Sequence, residues 1–294
     1  MPHLYTGPII DAHHHLWDRS LDRHPWLRGE TGVLGRDCLP VDYLKASEGH
    51  NVIATVHVEA GWEAGDPFAE IAWLDQLERP HWMASRYVSA VQLDAPDAEP
   101  LLERLAAHPR VVGLRDILSW HPDPKRSFST DRHRMSSPTW RAGFAALDRL
   151  GLTFDLMISP WQAAEARQLA ASFPQTRFAI NHCGSPFDQS DEGLRHWEQG
   201  LRALAELPNV AIKISDVVAY QPQWTSESVR RIVLTCLEVF GPERAMIASD
   251  HPVVELGATF AQSYDAFSDA VRGCSQAEQV ALFADNARAF YRIS

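Results

Sequence analysis

Eight short segments rich in valine, isoleucine and phenylalanine recur along this chain with amphipathic helical patterns between them, and that alternation is its strongest constraint on fold. The strand-like segments are 8–13, 52–58, 86–92, 110–115, 152–158, 177–182, 209–214 and 245–249, bounded by Gly, Pro, Asn or Asp. PFAEIAWLDQLE, AEPLLERLAAH, SPTWRAGFAALDRLG, SPWQAAEARQLAASF and SESVRRIVLTCLEVFG read as helices, several opening on Ser or Pro and closing on Gly. A strand–helix alternation implies a parallel sheet covered by helices, and eight units predict closure into a single (β/α)8 TIM barrel spanning 1–294 as one domain. The active site of such a barrel lies at the carboxyl ends of its strands. Two long irregular stretches, 17–40 and 117–137, are expected over that face. The second is polar and reads equally as a lid or as a mobile surface loop.

Composition narrows the partners. A net charge of −11 disfavours nucleic acid and anionic membrane surfaces, so the expected partner is a small molecule, with a homo-oligomer allowed. Cys38, Cys183, Cys236 and Cys274 are far apart and form no CxxC pair, which argues against a disulfide framework or a structural zinc site. The first residues lack the charged-then-apolar pattern of a leader, and no apolar run is long enough for a membrane span. A cytoplasmic protein is expected.

Four islands end apolar runs and carry the chemistry: IIDAHHHLWD at 9–18, FAINHCGSP at 178–186, VAIKISD at 210–216 and AMIASDHP at 245–252. Residues two apart on a strand share a face, so His13 and His15 are predicted to project together into the barrel mouth with His14 turned away. Two imidazoles so placed can hold a divalent metal; the plainer alternative is a pair of buried, hydrogen-bonded histidines. His182 ends the sixth strand and Asp250 the eighth, and a barrel brings both ends near the first strand. His13, His15, His182 and Asp250 then form a set suited to one zinc or manganese ion, or to a metal-free acid–base site. In either case Asp250 is the natural base toward an attacking water, with His182 orienting that water or polarising a carbonyl. The plainer reading of Asp250 is a helix cap ahead of Pro252.

In these islands, together with VVGLRDIL, GLTFDLMI and FGPERAMIASDHPV, the chain resembles the amidohydrolase superfamily over nearly its whole length. It is most similar to the branch of lactonases that act on sugar acids and on pyrone or muconolactone carboxylates. The resemblance implies that His13, His15, His182 and Asp250 are the catalytic centre and that Arg115 binds a carboxylate or carbonyl. It also implies either a zinc-dependent or a metal-independent lactonase, since the branch holds both. A second bridged metal is not expected, because Arg115 and Asp116 stand where a modified lysine would end the fourth strand.

Departures from that branch mark the substrate region. His57 stands where glutamine is frequent, with Glu59 two residues on; Asp116 follows Arg115 in place of histidine; His251 follows Asp250 in place of tryptophan. His57, Glu59 and His251 are therefore candidate substrate contacts, with Glu59 alternatively an extra metal ligand, and Asp155 on the fifth strand and Lys213 on the seventh are further candidates. A polar rim for the first two, and a satisfied barrel ion pair for Asp155 and Lys213, are the plainer alternatives. Trp17, Trp120, Trp161 and Trp224 wall a pocket or pack in the core. The leading expectation is hydrolysis of a lactone by base-activated water. The alternatives are a metal-dependent decarboxylase of an aromatic or unsaturated carboxylate, an amide or other C–N hydrolase, and a barrel that only binds.

Overall fold

The computed structural model describes residues 4–63, 66–221 and 223–294. Eight parallel strands run in sequence order: β1 (Ile9–His14), β2 (Val52–Val58), β3 (Arg86–Ala90), β4 (Val111–Arg115), β5 (Thr153–Leu156), β6 (Phe178–Ile180), β7 (Val210–Ile214) and β8 (Ala245–Ile247). Between them lie α1 (Pro40–Ala46), α2 (Pro67–Gln76), α3 (Ala98–Ala106), α4 (Pro138–Leu150), α5 (Ala163–Ser172), α6 (Asp191–Ala205) and α7 (Ser226–Phe240); α8 (Phe260–Ala270) follows β8. The expected (β/α)8 barrel is the fold found, with each strand paired in parallel to its neighbours in the chain.

Local chemistry sets the helix ends. Pro138 starts α4 in the first turn, where a missing N–H costs nothing, and Gly151 ends it at φ 67°, a conformation that penalises a Cβ. Thr225 caps α7 and Ser190 caps α6, each side chain accepting a backbone N–H three residues on. The helices bury one face against the sheet. Phe144 of α4 is fully buried, stacking on Phe178 of β6 at 5.5 Å and meeting Phe154 of β5 at 5.1 Å.

A second, smaller apolar cluster fills the barrel itself, from Ile10, Ala12, Val56, Val58, Val88 and Met246. Its far end is plugged by the C-terminal segment, which runs through α9 (Gln276–Val280) and α10 (Asn286–Phe290) to the buried Tyr291. Asn286 and Arg177 tie that plug to the starts of the strands through the carbonyls of Ala245 and Ala289. The segments 17–40 and 117–137 lie at the opposite end: Trp26 Nε1 donates to Ala60 O just past β2 at 2.7 Å, and Arg134 reaches Asp116 just past β4 at 3.0 Å. No helix among the described residues is long and apolar enough to cross a membrane.

Removing the Phe144 ring leaves a cavity between two layers that have no means of collapsing. Phe144→Ala is expected to cost about 3–5 kcal/mol in chemical denaturation; a loss under about 1 kcal/mol would show that this ring cluster does not anchor α4.

Candidate active site

The site starts from an irregularity in β1. Asp11 pairs with Thr55 but His14 pairs with His57, so three steps along β1 match two along β2 and one residue is extra. Such a bulge shifts the phase of the side chains. Ile10 and Ala12 belong to the barrel interior, while Asp11 faces out to Tyr43 Oη of α1 at 2.7 Å. Beyond the bulge His13 and His15 turn to the barrel mouth, and His14 turns outward to Thr55 Oγ1 at 2.8 Å and the Tyr43 ring. The two-residue spacing therefore orients the three histidines as read from the sequence, although a regular strand would have carried Asp11 inward with them.

Closure of the barrel brings Asp250 to this pair. Asp250 N donates to His13 O and His15 N to His251 O, both at 2.8 Å. Asp11 completes the seam, accepting from Ser249 N at 2.8 Å and Ser249 Oγ at 2.6 Å. His13 Nε2 then lies 3.2 Å from His15 Nε2 and 3.4 Å from Asp250 Oδ1, and His15 Nε2 lies 3.2 Å from the same oxygen. His182 stands on the other side of Asp250, Nδ1 to Oδ2 at 3.9 Å, with its ring 4.7 Å from that of His13.

Backbone conformation marks the same region. His182, Cys183, Ser185, Asp216 and Asp250, at the ends of β6, β7 and β8, all have φ between 51° and 59°. Residues with a Cβ hold that conformation at a cost of about 1–3 kcal/mol each, and they cluster where function fixes them.

The donor set fits a divalent ion. Two ligands about 2.1 Å from a tetrahedral zinc stand roughly 3.4 Å apart, close to the separations among His13, His15 and Asp250. Ligand atoms of His13, His182 and Asp250 also lie within 4.8 Å of one another. His15 Nδ1 is spent on Val58 O at 2.8 Å, which leaves Nε2 as the lone pair toward the centre. Burial, then the cations Lys213 and Arg115 among other neighbours, holds His13 well below its ordinary value, and burial brings His182 down to about 4. Burial alone would raise the Asp250 carboxyl, but His182, the hydrogen bond with His15 and Arg115 outweigh it and keep it lowered. Neutral imidazoles and an ionised carboxylate are the ligand forms a divalent metal takes.

Arg115 approaches from β4. Its guanidinium is committed to Glu59, Nε to Oε1 at 2.6 Å and Nη2 to the carbonyl at 2.7 Å, leaving Nη1 at 3.5 Å from His13 Nε2. Glu59 and Arg115 also border a cavity of about 360 Å³ beside the centre, whose rim carries Trp62, Asp116 and Arg134.

Four candidate substrate contacts sit elsewhere. His57 is on the outer face of β2, where it meets Glu70 Oε1 of α2 at 3.2 Å and the Tyr87 ring, so it does not share a face with the site. His251 also turns outward, to Glu255 Oε1 at 3.1 Å and Cys38 Sγ at 3.7 Å. Asp155 and Lys213 are inside the barrel but have no exposure, and they bond each other. Lys213 Nζ also donates to Ala12 O at 2.9 Å and lies 3.4 Å from His13 Nδ1, while Tyr291 Oη donates to Asp155 Oδ1 at 2.8 Å. This pair supports the His13 strand from below. It offers nothing to a solute.

Asp216 was not among the candidates, and it belongs to the site. Its buried carboxyl lies beside those of Asp250 and the Tyr220 hydroxyl, and burial followed by the Asp250 charge pushes it well above the ordinary carboxylate range. The signal was present: an aspartate closing the VAIKISD island stands just past a strand end, as Asp250 does.

Comparison with known proteins shows the family. Residues 10–293 match the amidohydrolase family of the amidohydrolase-2 type. Uncharacterized protein y4mH of Sinorhizobium fredii is 33% identical over 293 residues, covering 97% of this chain and 98% of its own. L-Fucono-1,5-lactonase of Burkholderia multivorans is 28% identical over 302 residues, covering 97% and 96%. The crystal structure of an amidohydrolase from Burkholderia multivorans with bound zinc superimposes with a TM-score of 0.82 at 26% identity, covering 98% of this chain and 100% of that one.

Purified protein is expected to hold about one divalent ion, read by plasma mass spectrometry, and His13→Ala with His15→Ala to lower that content at least about tenfold. Unchanged metal content in the double variant would move the ion elsewhere. With its fold and the residues gathered at its strand ends, the chain belongs to the amidohydrolase family.

Proposed function

We propose that this enzyme hydrolyses the ring ester of an uncharged, hydroxylated lactone of the sugar-acid type. The observation that carries the substrate class is the charge of the cavity beside the centre. Glu59, Glu63, Asp66, Asp97 and Asp116 border it, against only two cations among the described residues there, Arg115 and Arg134. Both cations are already paired, Arg115 with Glu59 and Arg134 with Asp94 and Asp116. A ring bearing several carboxylates would meet net negative charge; a neutral lactone meets hydrogen-bonding groups. The L-fucono-1,5-lactonase likeness supports the same choice.

His13, His15, His182 and Asp250 would hold the divalent ion, which when bound supplies Lewis acidity toward the attacking water or the carbonyl. Asp250 takes one proton from water as its oxygen adds to the carbonyl carbon. Arg115 Nη1, aimed at the centre, is placed to stabilise the oxyanion. Collapse of the tetrahedral intermediate breaks the bond to the ring oxygen, and Asp250 returns the proton to that leaving oxygen. The product is the open-chain hydroxy acid. This reading makes the partner a small molecule of carbohydrate metabolism and the compartment the cytoplasm, with a homo-oligomer allowed.

Two measurements test this reading. Asp250→Asn keeps the shape of the seam but removes the base, and kcat on a sugar-acid lactone is expected to fall roughly 100- to 10,000-fold in a pH-indicator assay; near-normal turnover would remove Asp250 from that role. The acid limb of the pH profile follows from the same groups. Asp250 is lowered and His182 is brought down to about 4, so both keep their working forms at neutral pH and lose them only on the acid side. The profile of kcat/KM is expected to be flat from about pH 6 to 8 and to fall on the acid side. A rise through pH 7 would point to a different base.

A further inference from the structure

Buried polar atoms nearly always find partners, and leaving one without costs about 1–3 kcal/mol. On the rim between β6 and β7 several stand without one. Ser185 Oγ, Asp216 Oδ1, Gln221 Nε2 and His121 Nε2 have no hydrogen-bond partner among the described residues, in side chains only 1%, 4%, 7% and 8% exposed. Two of the four, Ser185 and Asp216, also hold the left-handed backbone, at φ 56° and 59°. The surrounding structure maintains two costs at the same positions.

Two of these residues share a neighbour. The Tyr220 hydroxyl lies against both Ser185 and Asp216, and Asp216 lies against Asp250. From Tyr220 an aromatic wall runs outward: Phe187 is 4.6 Å away at 60°, and His121, from the long segment after β4, is 5.7 Å from Phe187 at 85°. No lysine or arginine is among these six side chains. Hydroxyl, carboxyl, carboxamide and imidazole atoms beside flat apolar rings are what a hydroxylated ring needs, since each of its hydroxyls both donates and accepts while its C–H face packs on aromatics. A carboxyl bonds a hydroxyl whether or not it carries a proton, so the argument does not turn on the charge of Asp216.

We infer that this rim is a binding subsite for the hydroxyl-bearing side of the substrate, with Ser185, Asp216 and Tyr220 as its hydrogen-bonding groups and Phe187 and His121 as its wall. The inference rests on the lactone reading above and adds where the hydroxyls go. The cavity by Glu59 lies on the β2–β4 side of the centre and this rim on the β6–β7 side, so a ring over Asp250 is bordered by both. Ser185 and Asp216, with Tyr220 against both, become specificity residues: a ring that lacks hydroxyls leaves Ser185 Oγ and Asp216 Oδ1 buried and unpaired, which penalises that ring selectively.

The test compares a neutral hexono-1,5-lactone with δ-valerolactone, which has the ring and no hydroxyls, using the full-length enzyme as purified. The wild type is expected to prefer the hydroxylated lactone. Ser185→Ala and Tyr220→Phe are each expected to lower the ratio of the two kcat/KM values about tenfold or more, mostly through KM for the hydroxylated ring. A ratio within about twofold of the wild type in both variants, with native circular dichroism and Tm, overturns the subsite. If the wild type releases no acid from either lactone, the lactone reading fails by itself, and the unreacted hexonolactone is titrated calorimetrically instead. Binding by the wild type that weakens about tenfold in both variants then supports the subsite; no binding, or equal binding by all three proteins, overturns it.

Discussion

The centre exists because β1 closes on β8, and that closure depends on one buried carboxylate. β8 is only three residues long, and few backbone bonds join its end to β1. Asp11 supplies the missing bonds, taking Ser249 N and Ser249 Oγ on one side and Tyr43 Oη of α1 on the other. With the seam held, Asp250 N meets His13 O and the carboxylate of Asp250 is carried to within 3.4 Å of two imidazole nitrogens. The bulge between Asp11 and His14 makes this geometry compatible: it lets Asp11 face the seam while His13, two residues later, faces the mouth.

Below the centre one ion pair is set into the otherwise apolar barrel interior. Lys213 and Asp155 form a fully buried ion pair capped by Tyr291 from the C-terminal plug. Replacing such a pair by apolar residues is frequently neutral for stability, so its value here is better sought in position than in energy. Lys213 fixes the carbonyl of Ala12 and lies against the His13 ring, at the point where the bulge reverses the phase of β1. The plug, the ion pair and the bulge thus act on one residue, His13.

The architecture was legible because eight apolar segments between amphipathic helices admit few closures, and the histidine pair was legible because period-two alternation survives a bulge when both residues lie beyond it. Other assignments depended on facts that a linear pattern does not carry. His57 and His251 have the residue types of a site but face the helix layer, a question of phase at the strand ends. Asp155 and Lys213 face inward but sit too deep, a question of depth that alternation cannot report. Asp216 went unassigned because its setting is made by Asp250 and Tyr220, from β8 and from the turn after β7, which only closure brings together.

The central claim is that Asp250 and the histidines direct water to an ester carbonyl, and isotope labelling reads that event itself. Turnover of a hexono-1,5-lactone in water enriched in oxygen-18, followed by mass spectrometry of the product, is predicted to give the hydroxy acid heavier than the lactone by one labelled water, with the label in the carboxyl group. Label in the leaving hydroxyl would contradict acyl attack. An aromatic carboxylate returned lighter by carbon dioxide, with no lactone consumed, would replace hydrolysis by decarboxylation at the same centre.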